Sequence, residues 1–198
     1  MNKVKETIDI LKRFYPDKNF LVEPVSEDVS IIEIQGNDLE EIAIYSLREA
    51  LKRIRDPDKW DIIIREDAGL FIESLRGFPG PYSSYVYKTI GIEGVLRLMK
   101  DTPNKKAYFK SVIAFKIRGS EEIRVARGFV YGYISDEIRG SRGFGFDPIF
   151  IPEGYDKTFG ELGLEIKNMI SHRSKALTQV INYFLYENRS KERARGGV

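Results

Sequence analysis

The sequence predicts an α/β fold in which helices flank a mixed β-sheet that one long hairpin elongates. Two observations lead to this prediction: some segments repeat apolar residues at helical spacing, and others alternate or are rich in β-branched residues. The chain has 198 residues, of which 42% are hydrophobic and 31% are charged. This length and composition suit a single globular domain with a sizeable core.

The amino-terminal part predicts two helices with two strands between them. Apolar residues recur at helical spacing in residues 4–14, and β-branched residues predict strands at 19–25 and 29–35. Asp38 is the predicted N-cap of the second helix, because Glu41 follows three residues later in the capping-box pattern.

The middle of the chain predicts the sheet itself. Residues 60–67, WDIIIRED, are too apolar for a half-exposed strand, so we expect them in the centre of the sheet with both faces covered. Residues 69–75, GLFIESL, are expected to return as a separate strand. Two short helices follow between residues 83 and 100. The alternating segments 106–117 and 122–134 predict an antiparallel hairpin.

The carboxyl-terminal part predicts one strand and two helices. We expect the strand at 148–152, a short helix near 164–170 and a final helix from about 172 to 187. Residues 188–198 are basic and are predicted to be a disordered tail, so the single domain spans residues 1–187.

Composition excludes several kinds of protein and site. The chain has no cysteine and one histidine, which excludes disulfides, zinc–thiolate sites and metal sites with several histidines. A net charge of +2 is too balanced to predict a nucleic-acid partner. Apolar runs are too short for a membrane span and the start of the chain lacks a signal-peptide layout, so we expect a cytoplasmic protein without membrane contact.

Acidic residues form the first candidate site. Glu66 and Asp67 end the central apolar strand, and ligands bind at the carboxyl ends of strands in open α/β sheets. Side chains alternate along a strand, so only one of the two should face the cleft. Glu33 interrupts another apolar segment and could join Asp67 in holding Mg²⁺. The alternative is that both segments simply end in solvated polar residues.

Basic residues around the start of the last helix form the second candidate site. Ser171 is the predicted N-cap, and His172 and Arg173 occupy the first helical turn. The helix dipole disfavours cations there, so the arrangement predicts that an electron-rich group docks beside them, with Lys167 adding another positive donor. The alternative is a His–Arg pair that faces water.

A glycine-rich loop at residues 139–154 forms the third candidate site. Its glycines allow the backbone to approach a ligand, and Phe144 or Phe146 offers a flat surface for a nucleobase. Asp147 is a fixed hydrogen-bond acceptor. The alternative, which we favour for Phe146, is that the rings belong to the apolar core.

Three motifs together resemble the inosine triphosphatase family, the pyrophosphatases of deaminated purine nucleoside triphosphates. They are EDAGLFIESLRGFPGPYSSYV, GFGFDPIFIPEG with KTFGEL, and EIKNMISHRSKAL. The resemblance covers residues 33 to 185. It implies a two-lobed α/β fold with an elongated, twisted mixed sheet, an active cleft between the lobes, and a homodimer. It also implies Mg²⁺-dependent hydrolysis of ITP, dITP or XTP to the monophosphate and pyrophosphate.

The resemblance also implies roles for individual residues. Asp67 would be the base or metal ligand for the attacking water, and Glu33 the upstream metal ligand. Phe144 would stack on the purine. The base loop would be completed by Gly145, Phe146 and Asp147, and the 6-oxo purine would be read by Lys167, His172 and Arg173. Such donors suit a 6-oxo group, whereas the 6-amino group of adenine would leave them unpaired.

Two positions depart from the family pattern. Ala68 stands where the family has a serine beside the substrate. At the start of the chain, Lys3 to Glu6 match only the end of the family's phosphate loop, so Lys3 is the expected phosphate contact. This departure predicts either that the chain is a truncated version of a longer reading frame, or that it is a purine-nucleotide-binding protein with weak or no turnover. A pyrophosphatase of modified pyrimidine nucleotides is a further hypothesis, which the SHR and GFGFDP motifs disfavour. A nucleic-acid binder acting through the basic tail is another, which the balanced net charge disfavours.

Overall fold

The computed structural model describes residues 3–25 and 34–195. The helices are α1 (Lys3–Phe14), α2 (Leu39–Leu51), α3 (Ser83–Thr89), α4 (Gly91–Leu98), α5 (Phe159–Ile170) and α6 (His172–Arg195). The strands are β1 (Ile62–Ile72), β2 (Pro79–Gly80), β3 (Lys106–Ile117), β4 (Arg124–Ile134) and β5 (Phe150–Pro152). Single 3₁₀ turns occur at Pro57–Lys59, Glu73–Leu75 and Asp147–Ile149. Within this part of the chain, no helix is both long and apolar enough to cross a membrane.

The five strands form one sheet in the order β2-β1-β3-β4-β5. The predicted hairpin is confirmed as β3 and β4, which pair along their whole length. Every ladder among the described residues is antiparallel, so the parallel pair that a mixed sheet requires is not part of this region.

The prediction of separate strands at 60–67 and 69–75 is wrong, because β1 is one continuous strand. Ala68 and Gly69 pair with Ser111 and Lys110 without interruption. Gly69 serves close packing rather than a turn, since a Cβ there would overlap the backbone carbonyl of Gly80 on β2.

Two other segments differ from expectation near the amino terminus and the carboxyl terminus. Residues 19–25 form no strand, and most of the strand predicted at 29–35 lies outside the described residues. The last helix begins at His172 as predicted but continues to Arg195, so residues 188–195 extend α6 instead of forming a separate tail.

The apolar core consists of three clusters placed around the sheet. One lies between the sheet and α1 and α6, a second lies under α2, and a third joins β5 to α3 and α4. Ile63 packs in the cluster under α2, whereas Ile62 and Ile64 pack on the side of α1 and α6. Side chains of β1 therefore alternate between two covered environments, as predicted, but the middle strand of the described sheet is β3 and not β1.

Helix α5 contains a kink that positions its second half. Thr158 and Glu161 form a capping box at its start. Gly163 interrupts the helix with φ 79° and ψ 171°, a left-handed conformation that glycine adopts without a steric penalty. The turns after Gly163 carry Lys167 into the interior of the protein.

Candidate functional site

The glycine-rich loop meets the corner between α5 and α6 at Lys167. Lys167 Nζ lies 2.6 Å from Asp147 Oδ2 and 4.0 Å from the centre of the Phe144 ring. It also lies 4.0 Å from Glu6 Oε1 of α1. Lys167 is only 1% exposed, so its charge is held by these neighbours rather than by water.

Asp147 closes the loop on itself as well as binding Lys167. Its Oδ2 accepts a hydrogen bond of 2.8 Å from the backbone N–H of Phe144. Burial raises the pKa of Asp147, while the charge of Lys167 acts in the opposite direction. Gly143 must lack a side chain, because a Cβ there would overlap the Asp147 carboxylate.

The two phenylalanines of the loop have different environments. The Phe146 ring is buried and packs edge-on against Tyr87, as the core alternative predicts. The Phe144 ring is 37% exposed. One side of this ring faces Lys167 and Arg173, and Gly145 beside it has φ 60° and open space around it.

Arg173 is clamped by two carboxylates inside the protein. Its Nε donates to Glu66 Oε1 and Oε2 at 2.8 and 2.9 Å, and its Nη1 donates to Glu6 Oε2. Burial opposes the charge of Arg173, but Glu66 and Glu6 raise its pKa. His172 and Arg173 are both buried, so the alternative of a pair facing water is wrong. The electron-rich partner of Arg173 is a pair of protein side chains.

Glu66 is the centre of a second set of contacts on the same side of the sheet. The hydroxyl of Ser111 donates to its Oε1 at 2.8 Å, and Lys3 Nζ lies 3.7 Å from its Oε2. Burial disfavours ionisation, but Arg173, Lys3 and the hydrogen bonds outweigh it and lower the pKa of Glu66 to about 2. Glu66 is therefore a permanent anion that holds Arg173 in place.

His172 lies flat against Phe109, with ring centres 4.8 Å apart and planes 12° from parallel. Burial and the positive charge of Arg173 lower the pKa of His172 well below its ordinary value, so the ring is neutral. Its Nδ1 and the Oδ1 of nearby Asn168 are buried without a hydrogen-bond partner among the described residues. Both atoms could serve a bound ligand.

Asp67 lies apart from this cluster. It alternates with Glu66 along β1, and its Oδ1 accepts a hydrogen bond of 2.9 Å from the backbone N–H of Ala68. The N–H of Leu70, two residues on, bonds to Ser83 on the side away from β3. The N–H of Ala68 points the same way, so the Asp67 carboxylate lies at the outer edge of β1.

The predicted pair of metal ligands is placed only in part. Asp67 is partly exposed at this edge, whereas Glu33 lies outside the described residues. Within residues 3–25 and 34–195, no group of three or more acidic or histidine side chains could hold a metal ion. A cavity of about 410 Å³ between α1 and residues 16–22 is lined by none of the predicted site residues.

The structure thus brings together Phe144, Asp147, Lys167, His172 and Arg173, which we call the base cluster. It places Lys3 beside Glu66 and Asp67 at the neighbouring strand edge. It adds Ser111 and Phe109, which the sequence did not single out, and it gives Glu6, matched there only as the end of the phosphate-loop pattern, a contact with Arg173. A sequence signal existed for Glu6, which lies four residues before the buried Ile10 on the same face of α1. Ser111 carried no such signal within its alternating strand.

Comparison with known proteins gives consistent sequence matches. The model described as the Ham1 family matches residues 1–183. A protein named dITP/XTP pyrophosphatase from Hyperthermus butylicus is 46% identical over 182 residues, which cover 92% of this chain and 89% of the relative. A protein of the same name from Thermococcus kodakarensis is 50% identical over 167 residues, which cover 84% and 86% of the two chains.

Solved structures match over nearly the whole chain. A HAM1 protein from Coxiella burnetii has a TM-score of 0.78 at 29% identity, covering 92% of this chain and 94% of that one. The Ham1 protein of Staphylococcus aureus has a TM-score of 0.72, also at 29% identity, with 93% and 94% covered. These matches confirm the predicted α/β architecture with helices around a twisted sheet.

Proposed function

Because the chain belongs to the Ham1 family, we propose that it hydrolyses ITP, dITP or XTP to the monophosphate and pyrophosphate with the help of Mg²⁺. The names of its relatives support this proposal. The observation that carries it is the base cluster, where two buried cations, Lys167 and Arg173, lie beneath the half-exposed ring of Phe144.

The base cluster suits a purine with a 6-oxo group. A base stacked on Phe144 would lie beside fixed positive donors, and an oxygen acceptor gains more from such donors than from water because they are already oriented. The 6-amino group of adenine is itself a donor, so it would leave the same groups unpaired, which disfavours binding of dATP.

The phosphate end of the substrate would lie towards Lys3 and Asp67. The Lys3 side chain is 60% exposed, so its charge is accessible to a phosphate chain even while it neighbours Glu66. A partly exposed carboxylate fits Mg²⁺, which binds through one or two carboxylates together with substrate phosphates. Asp67, with Glu33, would hold the ion, which would neutralise phosphate charge; Asp67 would also orient the attacking water.

A panel of nucleotides tests this function. We expect pyrophosphate release from dITP and XTP to exceed that from dATP by at least about a hundredfold. Release should stop when Mg²⁺ is chelated and in Asp67→Asn. Asp61→Asn is the matched control, because Asp61 just precedes β1 and pairs with exposed Arg118 far from the cluster. Equal rates on dITP and dATP would refute the specificity, and binding without release would leave a nucleotide-binding protein.

We also propose that the protein works as a homodimer in the cytoplasm. What supports the dimer is an aromatic face made by Phe71, Tyr108, Phe129 and Tyr131 on β1, β3 and β4. Phe71 and Tyr108 are cross-strand partners whose ring planes are parallel, with centres 5.0 Å apart. Two rings that lie side by side in one plane cannot have centres this close, so the Phe71 and Tyr108 rings face each other and stand upright on the sheet. They therefore present their edges to a partner rather than a flat stacking surface. Such edges suit a protein partner better than a nucleobase.

Light scattering tests the dimer. Tyr131 is 57% exposed, and Tyr131→Glu should convert the dimer to a monomer because it places a charge in the contact. Tyr186→Glu is the control, since Tyr186 is 69% exposed on α6, outside the aromatic face. A wild-type monomer would contradict the proposed homodimer.

Fractionation of source cells tests the proposed cytoplasmic location.

A further inference from the structure

Ser111 occupies the middle of β3 with no exposed surface. It pairs with Ala68 of β1 on one side and with Gly128 of β4 on the other. A Cβ at Gly128 would overlap the backbone carbonyl of His172. This row of small residues lets the first turn of α6 lie directly on the sheet, so that Arg173 reaches Glu66.

The hydroxyl of Ser111 completes the support of Arg173. It donates to Glu66 Oε1 at 2.8 Å, and the same oxygen accepts from Arg173 Nε at 2.8 Å. A carboxylate held by Arg173 alone could rotate with it. A second donor on a central strand, paired on both sides, fixes the carboxylate plane and with it the plane of the guanidinium.

The orientation of Arg173 determines which donor a base would meet. Glu66 engages Nε and Glu6 engages Nη1. Nη2 is the nitrogen that neither carboxylate engages, and the guanidinium centre lies 5.3 Å from the centre of the Phe144 ring. A hydrogen bond weakens steeply when its angle departs from linear, so a rotated guanidinium would present this donor poorly.

We propose that Ser111 is a positioning residue for recognition of the 6-oxo group, acting through Glu66 on Arg173. This inference rests on the proposed function. It assigns to a neutral side chain, which does not touch the substrate, part of the discrimination between deaminated purines and adenine.

The test compares three variants with the wild-type protein. Ser111→Ala removes the hydroxyl, and Ser111→Cys keeps the volume but offers a weaker donor. Ser135→Ala is the matched control, because Ser135 is also a buried serine. Its hydroxyl donates to the Glu137 carbonyl at 2.6 Å and not to a residue of the base cluster or to Glu66. Steady-state kinetics with dITP and dATP, calorimetric binding of dITP, and thermal unfolding are measured for each.

We expect Ser111→Ala to raise KM for dITP about tenfold, equivalent to about 1.4 kcal/mol, with kcat changed less than about twofold. Kinetics with dATP should not change, so the dITP-to-dATP ratio of kcat/KM falls by about the same factor. Ser111→Cys should be intermediate, whereas a residue that only fills space would be restored to wild-type behaviour by cysteine. Ser135→Ala should keep the wild-type ratio.

The outcomes separate the inference from the proposed function. An unchanged ratio and unchanged dITP affinity in Ser111→Ala overturn the role of Ser111 while leaving the enzyme's activity established. Wild-type protein that binds dITP without releasing pyrophosphate refutes the activity, and the affinities of the variants then decide the role of Ser111. Wild-type protein that neither binds nor hydrolyses dITP overturns both. Should Ser111→Ala fail to fold, Ser111→Cys carries the comparison.

Discussion

Lys167 Nζ lies 2.6 Å from Asp147 Oδ2, and neither side chain is more than 3% exposed. Asp147 also accepts the backbone N–H of Phe144. The ion pair therefore fastens α5 to the loop that carries the predicted stacking ring, and the position of Phe144 depends on Lys167, which lies 20 positions after Asp147 in the chain.

Asp147→Asn should strongly destabilise the protein, because it leaves the buried charge of Lys167 without its nearest partner. We expect a loss of about 3 kcal/mol in the free energy of unfolding. Urea denaturation at pH 7 measures it. Asp136→Asn is the control: Asp136 lies 3.0 Å from Lys105 but is 89% exposed, so its removal should cost less than about 1 kcal/mol. Equal losses in the two variants would show that burial of the pair contributes nothing.

Glu66→Gln should change how stability depends on pH. The pKa of Glu66 is lowered to about 2 in the folded protein from an ordinary 4.5. Its contribution, about 3 kcal/mol, is therefore present above pH 4.5 and is lost as the pH falls from 4.5 to about 2. The stability difference between wild type and Glu66→Gln should shrink over that range.

Denaturant titrations at several pH values measure this difference. Glu121→Gln is the control, since Glu121 is 99% exposed and lies 3.8 Å from Lys116. Its effect should be small throughout the range. A Glu66→Gln difference that stays constant down to pH 2 would contradict the assigned anion.

His172 should remain neutral at pH 6.5 and above, because burial and Arg173 lower its pKa well below the ordinary value. It is the only histidine in the sequence, so NMR of its ring nitrogens gives an unambiguous signal. We expect no titration in this range in the folded protein. The urea-unfolded chain is the internal control and should titrate near pH 6.5. A folded midpoint near 6.5 would place the ring in water.

Gly163→Ala should disturb the kink of α5 more than backbone strain alone predicts. Gly163 has φ 79°, and a Cβ there would lie 2.9 Å from Arg142 Nη1. Gly154→Ala is the matched control, with φ 84° and no atom within 4 Å of the added carbon. We expect about 1 kcal/mol of destabilisation from Gly154→Ala and more from Gly163→Ala, measured by thermal unfolding. Identical melting temperatures would mean that Arg142 yields without cost.

Local signals in the sequence predicted the ends of elements well. Asp38 caps α2 by accepting the backbone N–H of Glu40, and Ser171 caps α6 by accepting that of Ser174. These contacts span two or three residues, so the sequence contains them directly. The hairpin of β3 and β4 was equally predictable from the sequence, because its two alternating segments are adjacent in the chain.

Long-range contacts explain what the sequence did not predict. The sequence predicts separate strands at 60–67 and 69–75 because nothing local reveals that the backbone of Gly80 packs against Gly69. Glu6 can be buried because Arg173 and Lys167, which lie far along the chain, provide positive charges that compensate its carboxylate. The basic first turn of α6 predicted an electron-rich partner, but spacing alone does not distinguish a ligand from two internal carboxylates.

Because β1 is one continuous strand, its register against β3 determines the placement of both Glu66 and Asp67. Glu66 and Asp67 are consecutive residues whose side chains serve different sides of the strand. A slip of one residue against β3 that brings Asp67 to the position of Glu66 would bring Ala68 to the position of Asp67, which leaves a shorter carboxylate beside Arg173 and no carboxylate at the strand edge. An insertion or deletion within residues 62–72 should therefore abolish selectivity and turnover together. The length of this strand is constrained more strictly than the identity of its residues.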